Sequence, residues 1–315
     1  MNIKKILKIL LPLILGGILV WYSLSKVSPE TLVQYFKNAN YWWISLGLFF
    51  GILSHLSRAY RWKYLLEPMG YTPDFGNSTM AVLVAYLVNY AVPRAGEVSR
   101  AAVMANYEDI PFEKGFGTIV AERIADLIMM LLIICVTLFV QFDFIFELLT
   151  ANFSPVKVGG IIAAVVLGFF VFSQYVKKAK TGVGLKIKSF IGGLIEGATS
   201  IFKMKDKWSF IFHTVFIWLM YVAMFWATIP AIDNLEVPFG AVLIGFIAGG
   251  FSIAATNGGI GLYPVAVAGA FALFGIAEEP ANAFGWIMWT AQTAMIIVFG
   301  GLAFAVLPVY NKAKE

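Results

Sequence analysis

Charged residues are scarce in this chain. Only 13% of its 315 residues are Asp, Glu, Lys or Arg, while 60% are hydrophobic. A soluble domain carries roughly 25% charged residues. The deficit excludes an ordinary soluble globular protein. Together with repeated apolar runs of near-spanning length, it predicts an all-α, polytopic integral membrane protein.

Cysteine and histidine are also too few to build common sites. Cys135 is the single cysteine, so no intramolecular disulfide can form. The two histidines, His55 and His213, are far apart in the sequence and have no cysteines nearby. This leaves a metal site without support. The sequence also lacks a nucleotide-binding motif, so we expect no cofactor.

The net charge of +5 does not indicate nucleic-acid binding, because the lysines concentrate in loops. Positive charge in the loops of a membrane protein records orientation and contact with anionic lipid. The loop at 176–208 is rich in lysine, whereas the loops at 141–154 and 232–237 carry only acidic charges. We therefore place 176–208 and both termini in the cytoplasm, and the acidic loops outside, in a bacterial inner membrane.

Six apolar segments are long enough to be full spans, and two others are interrupted. The full spans are predicted at about 6–24, 41–57, 116–140, 155–175, 209–231 and 283–308. Loop charges require the interrupted segment 79–105 to begin and end on the cytoplasmic side. Its arms, about a dozen residues each, would measure roughly 18–20 Å as helix, against a hydrocarbon core of about 30 Å. We predict a re-entrant hairpin there, and either a second hairpin or two full spans at 238–276, within one domain covering 1–315.

The first interruption carries charges at a regular spacing. Pro93 and Gly96 mark the break, and Arg94, Glu97 and Arg100 recur every three residues, which places them on roughly one helix face. Proline suits the first turn of a helix, whose N-terminal end favours an anion. Because the arginine fork matches phosphate oxygens, we expect a phosphate attached to a lipid to bind here.

A second charged set lies in "GTIVAERIADLIMM", on the cytoplasmic half of a span. Intramembrane charges are costly and usually face a partner or a cavity. The expected partners are Glu122 or Asp126 for Arg94 or Arg100, and Glu97 for Arg123. Either these six charges contact substrate, or they form a structural ion-pair network that touches none.

The second interruption, at 254–264, is uncharged. Asn257 supplies hydrogen-bond donors and an acceptor, and Pro264 suits a helix start. The glycines that let the backbone turn tightly or approach a ligand are Gly258, Gly259 and Gly261. The alternative is a glycine turn that serves packing alone.

Two further groups of residues end predicted spans. Arg58, Arg61 and Trp62 in "SRAYRWKYLL" end the second span, where the arginines either snorkel to the interface or line a lipid entrance. Four tryptophans near span ends are predicted as interfacial anchors: Trp42, Trp43, Trp286 and Trp289.

The paired charged motifs resemble those of a known family. "LVNYAVPRAGEVSRAAVM" followed by "GTIVAERIADLIMMLLI" is similar to the signature of the lysylphosphatidylglycerol synthase transmembrane family, also called flippase-like or UPF0104 membrane proteins. The matching positions are Asn89, Pro93, Gly96, Glu97, Arg100, Glu122, Arg123 and Asp126. "NGGIGLYPVAVAGAFALFGI" resembles the late glycine segment of the family. Tyr263 and Pro264 stand where an acidic residue commonly follows, so no acid is carried over.

The resemblance implies the membrane half of such proteins, the part associated with moving a lipid between leaflets, and it does not imply synthase activity. We expect a transporter of an anionic or polyprenyl-linked lipid head group, not an enzyme, with membrane lipids as partners. The expected translocation residues are Asn89, Arg94, Glu97, Arg100, Glu122, Arg123, Asp126 and Asn257. Two alternatives remain: a transferase acting on a lipid-linked substrate, or a non-transporting partner that recruits a soluble synthase through the lysine-rich loop.

Overall fold

Helices form all the regular secondary structure that the computed structural model contains among its described residues. These are residues 16–312 except 93, 153, 180, 186, 190–191, 193–200, 202–203 and 257. Three helical segments in this part of the chain are long and apolar enough to cross a membrane: Phe112–Val140, Lys207–Ala231 and Glu278–Lys312. This confirms the helical membrane class, while the count of about six spans stays a prediction.

The helices follow one another with short connections. The N-terminal half contains α1 (16–26), α2 (Pro29–Asn38), α3 (Tyr41–Leu66), α4 (Phe75–Ala91), α5 (Gly96–Tyr107) and α6 (Phe112–Val140). After these come α7 (Phe142–Asn152), α8 (Pro155–Lys178) and two short stretches, 182–185 and 187–189, together labelled α9. The chain continues with α10 (Lys207–Thr228), α11 (Phe239–Ala255), α12 (Leu262–Ala272) and α13 (Glu278–Lys312).

The chain divides into two compact units. The first comprises Met1–Glu122 and Trp208–Glu315, and the second comprises Arg123–Lys207, so the boundary falls inside α6. In the second unit α7 packs against α8. Several lysines of the predicted cytoplasmic loop, Lys180, Lys186 and Lys203, lie outside the described residues. Whether 1–315 behaves as one domain stays a prediction.

Two pairs of consecutive helices pack together in the first unit. These are α4 with α5, the first hairpin, and α11 with α12, the second hairpin. The long helix α13 packs against both α12 and α4, and α3 packs against α4. A cluster of aromatic rings joins α10, α12 and α13, because Phe225 lies 5.1 Å from Phe284, which lies 5.5 Å from Phe271. Both hairpins are thus held against one helix.

Each hairpin has one arm too short to cross a bilayer. The 12 residues of α5 and the 11 residues of α12 measure about 18 Å and about 17 Å, against roughly 30 Å of hydrocarbon. These lengths favour hairpins over pairs of full spans, and the re-entry of either hairpin into a membrane stays a prediction.

Two expectations at span ends are wrong. The helix that contains the predicted second span continues to Leu66 instead of ending near residue 57, and Arg58, Arg61 and Trp62 in its last turns are buried inside the protein. The arginines therefore do not snorkel to an interface. Trp286 is likewise buried, and its Nε1 donates to Ser23 Oγ at 3.0 Å, so it packs the interior instead of anchoring the surface.

Candidate functional site

The first break separates α4, which ends at Ala91, from α5, which begins at Gly96. The second arm thus starts later than the first-turn position predicted for Pro93, which itself lies outside the described residues. Arg94 is exposed and has a positive φ of 63°, a left-handed conformation that is uncommon for residues other than glycine. The break is therefore a sharp turn with an arginine at its tip.

Asn89 and Gly96 hold this turn together. The side-chain Oδ1 of Asn89 accepts the backbone N–H of Gly96 at 2.8 Å, which satisfies a donor at the start of α5. A Cβ at position 96 would collide with the carbonyl oxygen of Ala85 and with the amide of Asn89. Glycine is therefore required where α5 approaches α4. Asn89 has this architectural contact, and its predicted role in binding stays a prediction.

Arg100 and Glu122 form a buried bidentate ion pair. The two terminal nitrogens of Arg100 donate to the two carboxylate oxygens of Glu122 at 2.6 and 3.2 Å. Arg61 lies 3.8 Å from the same carboxylate, and exposure of Arg61, Arg100 and Glu122 is only 0%, 5% and 1%. The predicted pairing of Arg100 with Glu122 is present. Removing such charges from water is costly, so the fold holds them with close contacts.

Aromatic rings and a hydroxyl support these arginines. Arg100 lies over the ring of Trp62 at 3.7 Å, and the Nε1 of Trp62 donates to Thr118 at 2.8 Å. Arg61 donates to Thr214 Oγ1 at 2.8 Å and lies 5.1 Å from the centre of the Phe210 ring. Stacking on an aromatic face stabilises a desolvated guanidinium.

Arg58 completes what we call the arginine cluster, namely Arg58, Arg61 and Arg100 around Glu122. Arg58 donates to Tyr221 Oη at 3.5 Å and is close enough to interact electrostatically with Glu122. Three guanidiniums therefore lie around the Glu122 carboxylate, and guanidinium groups are geometrically complementary to phosphate oxygens.

Two of the remaining predicted charges, Arg123 and Asp126, belong to the second unit. Arg123 is half-exposed and reaches Asp126 at 4.0 Å, three residues along the same helix. Glu97 belongs to the first unit, so its predicted pairing with Arg123 stays a prediction. Of the predicted charged residues, the contacts described above bring Arg100 and Glu122 into the arginine cluster.

The sequence predicted Arg58 and Arg61 as snorkelling residues or as the lining of a lipid entrance, and it did not place them or their partners together with Arg100 and Glu122. A signal was present, because two arginines three residues apart on an apolar helix are expensive unless they face protein. Nothing in the sequence singled out Thr214 or Tyr221, since hydroxyl groups are common in membrane helices and these two lie more than 150 residues from the arginines they contact.

The second break lies between α11 and α12, and Asn257 within it lies outside the described residues. The three predicted glycines all have positive φ: 67° at Gly258, 81° at Gly259 and 70° at Gly261. A Cβ on Gly261 would meet the backbone of α1 at Val20, 2.6 Å away. These glycines therefore serve both a left-handed turn and a close helix contact.

Pro264 is the third residue of α12 and is buried, as suits a residue in the first turn of a helix. Its Cα would lie 2.5 Å from a Cβ on Gly285 of α13, so only glycine allows this approach. The start of α12 is thereby fixed against α13.

The two breaks meet beside α13. Tyr90, near the end of α4, has its ring against Gly258, where a Cβ would lie 2.6 Å from it. The hydroxyl of Tyr90 is hydrogen-bonded to Thr293 at 3.1 Å, and Trp289 Nε1 donates to the carbonyl of Gly258 at 2.8 Å. One helix therefore contacts the tips of both hairpins.

Two curated proteins are similar to parts of this chain. The UPF0104 membrane protein MJ1595 of Methanocaldococcus jannaschii is 27% identical over 125 residues, which cover 39% of this chain and 37% of that protein. Glycosyltransferase AglD of Haloferax volcanii is 26% identical over 103 residues, covering 32% of this chain and 16% of AglD. The matches thus span about a third or less of these relatives. No solved structure matches the chain.

The similarity to this family, first indicated by the charged motifs, extends over most of the sequence. The family model of the lysylphosphatidylglycerol synthase TM region matches residues 9–301. This range includes both breaks and every residue of the arginine cluster. The chain therefore belongs to the lysylphosphatidylglycerol synthase transmembrane family.

Proposed function

We propose that this protein moves a phosphate-bearing lipid, with an anionic or polyprenyl-linked head group, between the leaflets of the cytoplasmic membrane. The observation that carries the proposal is the arginine cluster, in which three buried guanidiniums surround one carboxylate. Each buried charge costs several kcal/mol to remove from water, so a cluster with a structural role alone would be more stable with fewer charges. A phosphate oxygen is the complementary partner.

The arrangement of the hairpins supports the same function. Interrupted helices that meet at a common helix mark the substrate site in many transporters, where polar backbone at membrane depth is tolerated only if protein or water covers it. Here both tips contact α13, and the arginine cluster involves the first hairpin through Arg100. In the proposal the head group passes along this polar interior while the lipid tails stay in the bilayer, and both termini lie in the cytoplasm.

The test is a leaflet-asymmetry assay in proteoliposomes containing a fluorescent head-group lipid, either phosphatidylglycerol or a polyprenyl phosphate. Arg58 is the residue to change, because Arg61 and Arg100 lie within 4 Å of the buried Glu122 carboxylate and their loss would disturb the fold more directly. We expect Arg58→Gln to slow translocation about tenfold or more, since a charge-assisted hydrogen bond contributes about 1.5–3 kcal/mol.

The matched control is Lys312→Gln, at the exposed end of α13, which should translocate lipid like the parent. Thermal unfolding in detergent would verify that both variants fold. Translocation by folded Arg58→Gln at the parental rate would remove the arginine cluster from the pathway, and absence of translocation with either lipid would count against a lipid carrier.

A second candidate is a transferase acting on a lipid-linked substrate, because one relative is named a glycosyltransferase. The match covers only 16% of that protein, so the likeness concerns a small part of it. Incubating the purified protein with a polyprenyl-phosphate sugar donor would distinguish the two, since an enzyme would yield a modified acceptor and a carrier would return the donor unchanged.

A further inference from the structure

An uncharged polar surface begins at the arginine cluster and continues along α4. Tyr221, which Arg58 contacts, has its hydroxyl 3.2 Å from the hydroxyl of Tyr86. The ring of His55 lies against Tyr86 with 4.6 Å between centroids, and the ring of Trp218 lies edge-on to Tyr221 at 6.0 Å. Hydroxyl groups and aromatic faces therefore lie directly beside the guanidinium of Arg58.

The same surface reaches the second break. Tyr90 follows Tyr86 by four residues and so lies on the same side of α4. Its hydroxyl contacts Thr293, and its ring lies against Gly258. We call Tyr86, Tyr90 and Tyr221, with His55 and Trp218, the tyrosine surface. Its three tyrosines are half-buried, so part of each side chain remains accessible.

Two buried polar atoms of this surface have no hydrogen-bond partner among the described residues. They are Nδ1 of His55, a residue 6% exposed, and Nε1 of Trp218, a residue 8% exposed. An unsatisfied buried polar atom costs about 1–3 kcal/mol, so its presence in a native structure calls for a ligand or water that completes it. These atoms supply a reason, independent of the tyrosines, to place a polar guest here.

The chemistry of the surface selects among head groups. Tyrosine hydroxyls both donate and accept hydrogen bonds, and aromatic faces pack well against the C–H faces of a sugar or polyol. No carboxylate belongs to the tyrosine surface, and Glu122 nearby is engaged by both nitrogens of Arg100. A cationic amine would lie close to Arg58 without an acidic partner on this surface, which disfavours it.

We propose that the tyrosine surface binds an uncharged, polyhydroxylated head group, such as a hexosyl group, whose linking phosphate lies at Arg58. This rests on the proposed function, because it assumes a phosphate at the arginine cluster, and it adds the class of group that the phosphate carries. The glycosyl unit would lie between the first and second breaks.

Binding of three matched probes to the detergent-solubilised full-length protein tests this proposal. The probes are decyl phosphodiesters with identical charge on phosphate, whose second substituent is methyl, glucosyl or aminoethyl. We expect the glucosyl ester to bind about tenfold more tightly than the methyl ester, the equivalent of one or two net hydrogen bonds. Tyr86→Phe and Tyr221→Phe should each abolish this preference. Tyr86→Phe should leave the affinity for the methyl ester unchanged, whereas Tyr221→Phe also removes a hydrogen-bond acceptor of Arg58, so for that variant only the ratio of the two affinities is compared.

Tyr175→Phe on α8 is the matched control, since Tyr175 is an exposed tyrosine of the second unit, and it should preserve the preference. Three results would each overturn the head-group assignment. They are equal affinity for the glucosyl and methyl esters, tightest binding of the aminoethyl ester, and an unchanged preference for the glucosyl ester in both phenylalanine variants. Arg58→Gln separates a failure of the head-group proposal from a failure of the proposed phosphate site. Weaker binding of all three esters to it upholds the phosphate site whatever the head group, whereas absence of binding or of any Arg58 effect overturns both proposals.

Discussion

At Glu122 one carboxylate accepts both terminal nitrogens of Arg100 and lies 3.8 Å from Arg61, and all three side chains are buried. Glu122→Gln would leave these guanidiniums without that negative charge in a poorly solvated position. We expect a loss of about 3–5 kcal/mol in the free energy of unfolding, the usual result of breaking a buried pair from one side. Unfolding by sodium dodecyl sulfate in mixed micelles measures it.

The control for this substitution is Glu113→Gln, on the exposed first turn of the same helix, which should cost less than about 1 kcal/mol. Arg100→Gln combined with Glu122→Gln should cost less than the sum of the two single changes, because the partners interact directly. Additive costs would mean that the pair contributes no coupling energy.

The site could be predicted from the sequence only where its chemistry stands out against an apolar background. Arg100 and Glu122 were identifiable because intramembrane charges are rare, and their pairing was one of the options that spacing allowed. Trp62 and Tyr221 were not identifiable as site residues, since aromatic side chains are abundant here and their role depends on contacts between distant helices. For Arg61 the sequence left open snorkelling to the interface or lining a lipid entrance, because its position at the end of an apolar run does not reveal that it is fully buried.

At the scale of helices, the first hairpin depends on one close approach. A Cβ at Gly96 would collide with the carbonyl oxygen of Ala85, so Gly96→Ala must separate α5 from α4. We expect about 2–3 kcal/mol of destabilisation, as is usual for overpacking. Gly117 on α6 is a glycine with no atom within 4 Å of its added Cβ, so Gly117→Ala should stabilise by about 0.5–1 kcal/mol through helix propensity.

Unfolding in the same mixed micelles measures both variants. We expect Gly96→Ala to lower the free energy of unfolding and Gly117→Ala to raise it. If Gly96→Ala left the free energy of unfolding unchanged, α4 and α5 would not pack as closely as the structure shows.

The existence of the helices could be predicted from the apolar runs, whereas the residues at which they end could not. The end of α3 depends on buried arginines, and the start of α5 depends on the Asn89 contact with Gly96, both of which are tertiary contacts.

At the scale of the whole molecule, α13 links the two hairpins, because it packs against α4 and α12 and contacts both tips through Thr293 and Trp289. The lengths of α5 and α12 do not suffice for a crossing. If each hairpin returns to the side from which it entered, the two ends of each hairpin share a face of the membrane. The distribution of loop charges predicts that the two hairpins enter from opposite faces.

Single cysteines test this arrangement in a Cys135→Ser background, since Cys135 is exposed and is the only native cysteine. Thr72→Cys and Glu113→Cys flank the first hairpin, and Glu236→Cys and Ala277→Cys flank the second, all at exposed positions. We expect a membrane-impermeant maleimide to label the first two from the cytoplasmic side, in inside-out vesicles, and the last two in right-side-out cells. Labelling of Thr72→Cys and Glu113→Cys from opposite sides would mean that α4 and α5 cross the bilayer an odd number of times. The break at Arg94 would then lie within a kinked span, and the proposed path of the head group between two hairpin tips would have to be abandoned.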